Sequence, residues 1–427
     1  MMTRAKHFIA AMIFAICLSA NAQIPQVSGD LKSEIVSIVS AMPGSGSNGF
    51  VIPSFATLQK WSVLFNTLVD ADFLRADSIV KADFPYYQLI EFTDTGYQNR
   101  VFYMLKENAP IERGWGTFLV NPDYLRQVAI EVPHARYDTN THREGADVFR
   151  ETGARFLLMS GTHRCANSEE SSCSGTTSAC GGSSQPYRVS DMAHFENALF
   201  QLFHEVVTVR VNQLYSINLH GHAQSSCPNF FMSSGVGNTP TQILLDIKAH
   251  LLNSGGVTAS VAGDGTSSCS LTGGTNTQGR FTNGSSNPCN QAATTPNGYF
   301  MHIEQSRNIR DNYSLYSKLI AALNANIQPV TAIAPQPVQP ETFGLFSAYP
   351  NPFNPTTTLV FSLETSAEIS LKIFDNLGRE VQTVAAGQFA PGEHAFIVNA
   401  ANWSGGSYFA QLRSATGQQV LPLFLTK

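Results

Sequence analysis

The chain has 427 residues, 43% of them hydrophobic and only 13% charged, which is enough for a sizeable core and for two or three domains. A net charge of -5 and a pI near 6.1 leave no cationic footprint for nucleic acid or an anionic membrane surface. Small molecules, peptides or polymers are therefore the expected partners.

Residues 1–22, MMTRAKHFIAAMIFAICLSANA, place Arg4 and Lys6 before an apolar run from Phe8 to Leu18 and end on Ala20-Asn21-Ala22. This is the pattern of a secretory signal peptide, with the mature chain starting near Gln23. No later segment is long and apolar enough for a transmembrane helix. Cys17 leaves with the signal, and Cys165, Cys173, Cys180, Cys227, Cys269 and Cys289 remain. Six cysteines without a Cys-x-x-Cys pair suit disulfides in an oxidising compartment better than a structural zinc knuckle, and the pairing stays open among fifteen connectivities.

Between residues 23 and 327, strand-like runs at 127–134, 154–163, 216–223, 256–263 and 298–305 alternate with helical patterns at 143–152, 190–214, 241–252 and 312–324. Apolar runs separated by helices predict an α/β fold, a mostly parallel sheet flanked by helices, with the site at the carboxyl ends of the strands. Two Gly/Ser/Thr/Asn-rich stretches, 166–186 and 263–290, each hold two or more cysteines and read as disulfide-pinned loops over one face.

Three strand candidates end on ionisable groups: QVAIEVPH on His134, YSINLH on His220 and YFMHIE on Glu304. Along YSINLH, Ser216, Asn218 and His220 share one face, and a polar face in a buried sheet must find partners or a site. Two imidazoles and a carboxylate with one position left to water make the ligand set of a catalytic zinc site.

These residues resemble the zinc carboxypeptidase-like hydrolases, and within them the phage-type poly-γ-glutamate hydrolases and the N-formylglutamate amidohydrolases. The resemblance is carried by Val132-Pro133-His134 with Asp138 and Thr141, by Asn218-Leu219-His220-Gly221-His222, and by Ile303-Glu304 with Arg307 and Arg310. It implies a zinc carboxypeptidase/phosphorylase-like sheet, Zn(2+) as cofactor, His134 and His220 as ligands and Glu304 as general acid/base. The His-x-x-Glu pair of zinc carboxypeptidases is missing here; the resemblance to the poly-γ-glutamate hydrolases, whose acidic ligand lies a few residues after the histidine and shortly before a Thr, implies Asp138 before Thr141 as the second ligand, with Glu144 as the alternative. Arg164, Arg307 and His222 are the residues assigned to substrate, since an arginine fork suits a bidentate carboxylate contact. A surface ion pair is the competing reading for either arginine. Asp191 reads as a helix cap, and His142, His194, His204 and His302 read as structural.

Residues 328–344, QPVTAIAPQPVQPETFG, form a Pro-rich linker, and 345–427 read as a small all-β, immunoglobulin-like sandwich with turns at Asn376-Leu377-Gly378, Pro391-Gly392 and Gly405-Gly406. Tyr349-Pro350-Asn351-Pro352-Phe353-Asn354-Pro355, Gly378-Arg379 and Gly406-x-Tyr408-Phe409 resemble the C-terminal sorting domain of type IX secretion cargo. That resemblance implies the type IX secretion machinery as a partner and a secreted or surface-attached protein.

The expected function is thus a secreted zinc-dependent hydrolase of an amide or peptide bond in a carboxylate-bearing substrate: γ-glutamyl, N-acyl-amino-acid or peptide. The alternative is a non-catalytic binding module for peptide or glycan on the same fold. A serine hydrolase is disfavoured because no Gly-x-Ser-x-Gly elbow follows a strand; Gly44-Ser45-Gly46-Ser47-Asn48 lies in an N-terminal loop.

Overall fold

The computed structural model describes residues 23–330, 347–349, 351, 353–363, 365–375, 379–414 and 418–426. The expected signal peptide, linker residues 331–344, the Asn376-Leu377-Gly378 turn, and Pro350 and Pro352 of the tail motif lie outside the described residues.

The first part of the chain contains β1 (Gln26–Gly29), α1 (Leu31–Ala41), α2 (Phe55–Val69), α3 (Phe73–Asp83), β2 (Tyr87–Asp94), β3 (Arg100–Glu107) and β4 (Thr117–Val120). It continues through β5 (Arg126–Val132), α4 (Thr141–Thr152), β6 (Ala154–Met159), the two-residue β7 (Thr176–Thr177) and β8 (Gln185–Pro186), and α5 (Leu199–Arg210). Then follow β9 (Tyr215–His222), β10 (Phe230–Ser233), α6 (Gln242–Asn253), β11 (Ala259–Val261), α7 (Thr277–Thr282), β12 (Phe300–Ser306), α8 (Arg307–Asp311) and α9 (Tyr313–Asn326).

Ten of these strands make one sheet in the order β1-β2-β3-β4-β6-β5-β9-β12-β10-β11. Its centre, β6-β5-β9-β12, is parallel, as the alternation of apolar runs and helices predicts. The sheet is nevertheless mixed: β2, β3 and β4 form an antiparallel meander joined to β6, and β10 runs against β12. The helix expected over 190–214 is confined to α5, because residues 190–198 turn to serve the site described below.

Period-two alternation assigns the two faces. On one face Ile130, Val132, Ile217, Leu219, Met301 and Ile303 pack against α1, α4, α6 and α9. On the other, Leu105, Phe118, Ala129, Phe156 and Leu158 meet Trp61 and Phe65 of α2 and Phe200 and Phe203 of α5. Toward β9 and β12 this second face changes character, carrying Ser216, Asn218, His220, His302 and Glu304, all buried. Part of that polarity is structural: Glu131 accepts from His204 Nδ1 (2.7 Å) and from Asn218, and His204 Nε2 meets Thr282 Oγ1 (3.0 Å). The string has the look of a catalytic relay, but His204 and Glu131 are fully buried, and it ties α5, α7, β5 and β9 together.

The expected loops cover this polar face. Cys165–Cys180, Cys173–Cys289 and Cys227–Cys269 are the three disulfides, closing loops of 15, 116 and 42 residues.

The tail forms two antiparallel sheets. One is β13 (Ser347–Tyr349), β14 (Thr356–Leu363) and β17 (Gly392–Asn399); the other is β16 (Glu380–Phe389), β15 (Ala367–Asp375), β18 (Gly406–Ser414) and β19 (Gln418–Leu425). Leu359, Phe361 and Val398 of the first sheet share a core with Leu371, Ile373, Leu412 and Leu423 of the second, the packing of a sandwich. Among the described residues no helix is long and apolar enough to cross a membrane.

Cys173–Cys289 spans the longest loop, so its removal releases the most unfolded-chain entropy. The double variant C173S/C289S is expected to lose about 2–5 kcal/mol in non-reducing urea unfolding.

Candidate metal centre

The centre is assembled where β5 and β9 end. After Val132 the chain turns through His134 to Asp138, whose backbone N–H donates to the His134 carbonyl (2.8 Å), and the Ala135 N–H donates to Ser160 Oγ (3.1 Å) after β6. His134 Nδ1 then lies 3.3 Å from Asp138 Oδ2, and His220 Nδ1 lies 3.5 Å from the same oxygen. These distances exceed the ~2.7–2.9 Å of a charge-assisted hydrogen bond. They match the ~3.3–3.6 Å that separates ligands of a tetrahedral ion bonded at ~2.0–2.2 Å. All three side chains are buried, and their donor atoms converge within 4.8 Å of one another. The residues therefore fit a zinc-type ion.

The far side of His134 is equally determined. Its Nε2 lies 2.8 Å from Asp191 Oδ1, an arrangement that fixes Nε2 as the protonated nitrogen and turns the Nδ1 lone pair to the cleft. Asp191 is itself held by Arg164 through Nε (3.0 Å) and Nη2, and by His194 Nδ1 (3.1 Å). The 190–198 turn exists to bring these groups behind the ligand. His134, Asp191 and His194 also cluster, but Arg164 already neutralises Asp191 and makes that point a poor cation site.

Glu304 completes the constellation. In the parallel pairing of β12 with β9 it stands opposite His220 and on the same face, next to His302, whose Nε2 is 3.3 Å from Glu304 Oε1. Glu304 Oε2 and His220 Nε2 are buried without a hydrogen-bond partner.

The electrostatics follow from burial and from these neighbours. Burial lowers the His220 imidazole, helped by the nearby His302, to about 4. Burial pulls His134 the same way, as does Arg164, but the Asp191 and Asp138 carboxylates win and hold it above its ordinary value. Asp138 is pushed up by burial, yet the His134 and His220 rings overcome that and keep it well below the usual carboxylate range. Glu304 is likewise held low, its burial outweighed by His302 and His220.

The alternative ligand Glu144 belongs to the other face of the sheet. It sits on the first turn of α4, which packs so closely that a Cβ on Gly145 would come within 2.7 Å of Val132. Its Oε2 accepts from Gln305 Nε2 (2.8 Å), and burial pushes the carboxyl up to about 8, leaving a neutral acid at neutral pH.

Arg164 is engaged by Asp191 behind the ligand; Arg307 is exposed and paired with Asp311 (2.7 Å); and His222 Nε2 meets the Pro228 carbonyl (3.0 Å) while its Nδ1 is buried and unpartnered. Arg310 reaches the carbonyls of Thr139, Gln305 (3.2 Å) and His222 (3.5 Å), tying the Asp138 turn to β12 and β9. Only glycine at 221 leaves room for it, since a Cβ there would lie 2.3 Å from the guanidinium carbon. Asp191 is the residue that sequence reasoning missed: it lies 57 positions from His134, and its local signal is that of a helix cap.

Comparison with known proteins adds an address and a set of distant folds. Residues 347–424 match the secretion system C-terminal sorting domain, so the tail is a type IX sorting domain and marks the protein for export to the cell surface or beyond. No curated protein matches the chain. Among solved structures, domains 4 and 5 of the S-layer protein SbsC share 14% identity over 20% of this chain and 53% of that one, about half its length (TM-score 0.16). N-formylglutamate amidohydrolase from Ralstonia eutropha JMP134 shares 13% over 50% of this chain and 95% of that one (TM-score 0.30). A protein of Shewanella denitrificans OS-217 assigned as a carboxypeptidase A shares 11% over 60% and 68% (TM-score 0.28).

Four outcomes are expected by calorimetric zinc titration. D138N abolishes high-affinity binding, whereas E144Q leaves it within about threefold, because a group on the opposite face is not a ligand; D191N falls between, weakening it roughly 10–100-fold. Acid weakens binding in the wild type: the ion must displace the His134 proton that the Asp191 and Asp138 carboxylates stabilise, so affinity falls about tenfold per pH unit below that group's pKa, while His220 competes only below about 4.

Proposed function

We propose that the protein is an exported zinc-dependent hydrolase of amide or peptide bonds, with His134, Asp138 and His220 as metal ligands and Glu304 as the proton-transfer group. The observation that carries this reading is the spacing of His134 Nδ1 and His220 Nδ1 about one Asp138 oxygen at ligand–ligand distances, with the ionised Glu304 carboxylate beside it, its Oε2 free of any hydrogen-bond partner. Zinc held there supplies the charge that polarises a scissile carbonyl and acidifies an attacking water.

The chain's own groups do the rest. Glu304 Oε2 accepts a proton from the attacking water and returns it to the departing nitrogen; burial keeps bulk water from competing for that proton. Asp191 keeps His134 in the tautomer that presents Nδ1.

The reading extends to carboxylate-bearing substrates, such as γ-glutamyl, N-acyl-amino-acid or peptide compounds. Of the arginines near the centre, Arg164 is committed to Asp191 and Arg307 to Asp311. Arg136 lies on the turn between His134 and Asp138, half-buried beside Gly44 and His163, and its guanidinium has no partner among the described residues. Arg136 is the cation available to a substrate carboxylate. Full-length wild type, E304Q and R136A should be assayed with N-acyl-L-glutamates and γ-glutamyl peptides. E304Q is expected to keep its zinc and lose kcat by about 10²–10⁴-fold. R136A is expected to raise KM about 10–100-fold at nearly unchanged kcat, the equivalent of one charge-assisted contact. Stoichiometric zinc with no turnover of any such substrate would favour a binding module instead.

A further inference from the structure

Close to the centre, the buried imidazole of His302 stands outside the chemistry just described. His302 precedes Glu304 by two positions on β12, so both side chains project from the same face. Its Nε2 lies 3.3 Å from Glu304 Oε1, and its ring packs on the His220 ring at a centroid distance of 4.4 Å and a tilt of 35°. Packing alone does not explain this placement. His302 Nδ1 is buried with no partner, and leaving an imidazole nitrogen unpaired costs free energy that an apolar side chain of similar size would avoid.

We propose that His302 is a positioning residue: its Nε2–H holds Glu304 Oε1, leaves Oε2 free, and aims that oxygen at the His134–Asp138–His220 cluster. The ring is braced from behind. Gly273 has φ +61°, and a Cβ there would come within 2.7 Å of His302 Cγ and Nδ1, so its backbone seats directly on the imidazole. Gly273 lies between Cys269 and Cys289, whose bonds to Cys227 and Cys173 anchor this loop over the face. His220 closes the other side. A carboxylate two positions from its orienting group on one rigid strand has little freedom left, whereas an unbraced glutamate samples several rotamers.

This inference rests on the reading of Glu304 as the proton-transfer group, and the test separates the two. The full chain is prepared as wild type, H302Q, which keeps an N–H donor, and H302F, which keeps the ring without one; H302L replaces H302F should the latter not fold. Each is titrated with Co(II) and crystallised. All variants are expected to bind cobalt within about threefold of wild type, since His302 is not a ligand. H302F is expected to show Glu304 rotated away and cobalt visible bands shifted as in E304Q, and H302Q to retain the wild-type pose and bands. An unmoved Glu304 with wild-type bands in H302F overturns the proposal, as does loss of cobalt binding, which would make His302 a ligand. Failure of the wild type to bind cobalt would instead sink the metallohydrolase reading, and the Glu304 pose in metal-free crystals would still decide the role of His302.

Discussion

Two neighbouring parallel strands, β9 and β12, are hydrogen-bonded in a register that sets His220 beside Glu304 and Asn218 beside His302. Because side chains alternate with period two, this register commits a whole stripe of polar groups to one face of a sheet whose other face, along the same strands, is apolar but for Gln305, which pairs with Glu144. A slip of one residue would bury Leu219 and Ile303 among the loops and drive two imidazoles and a carboxylate into the packing of α4 and α9. The apolar core thus fixes the geometry of the centre.

The polar stripe is costly to bury, and the surrounding structure is organised to offset that cost. Glu131, His204, Asn218 and Thr282 satisfy one another beneath α5 and α7. At the carboxyl end, His134 is pinned from behind by Asp191, which Arg164 and His194 hold in turn. What remains unsatisfied on this stripe is Ser216 Oγ at the start of β9 and, at the carboxyl end, His220 Nε2, His222 Nδ1, His302 Nδ1 and Glu304 Oε2. Disulfide-anchored loops, poor in apolar residues, are a reasonable cover for such a face, because covalent ties replace the hydrophobic packing that they cannot supply.

The parallel centre of the sheet and the strand-terminal His134, His220 and Glu304 were legible because alternation along a buried strand names the residues of each face. The tail was legible for the same reason, aided by its motif residues. The antiparallel hairpin β2–β3 went unread although Thr95-Gly96 separates two β-rich runs. Three other features could not be read locally. Asp191 reaches His134 only through the three-dimensional fold; Glu144 is six residues from Asp138 in sequence, yet α4 carries it to the opposite face; and Arg164 looks like a free cation until Asp191 is placed beside it. Each depends on a contact between segments that no periodicity encodes.

The position of a bound metal decides whether His134, Asp138 and His220 act as ligands. Anomalous diffraction from zinc-soaked crystals of the full chain tests this most directly. The predicted result is one strong peak within ~2.0–2.2 Å of His134 Nδ1, Asp138 Oδ2 and His220 Nδ1. A peak at Asp191 and His194, or none at this cluster under saturating zinc, would contradict it.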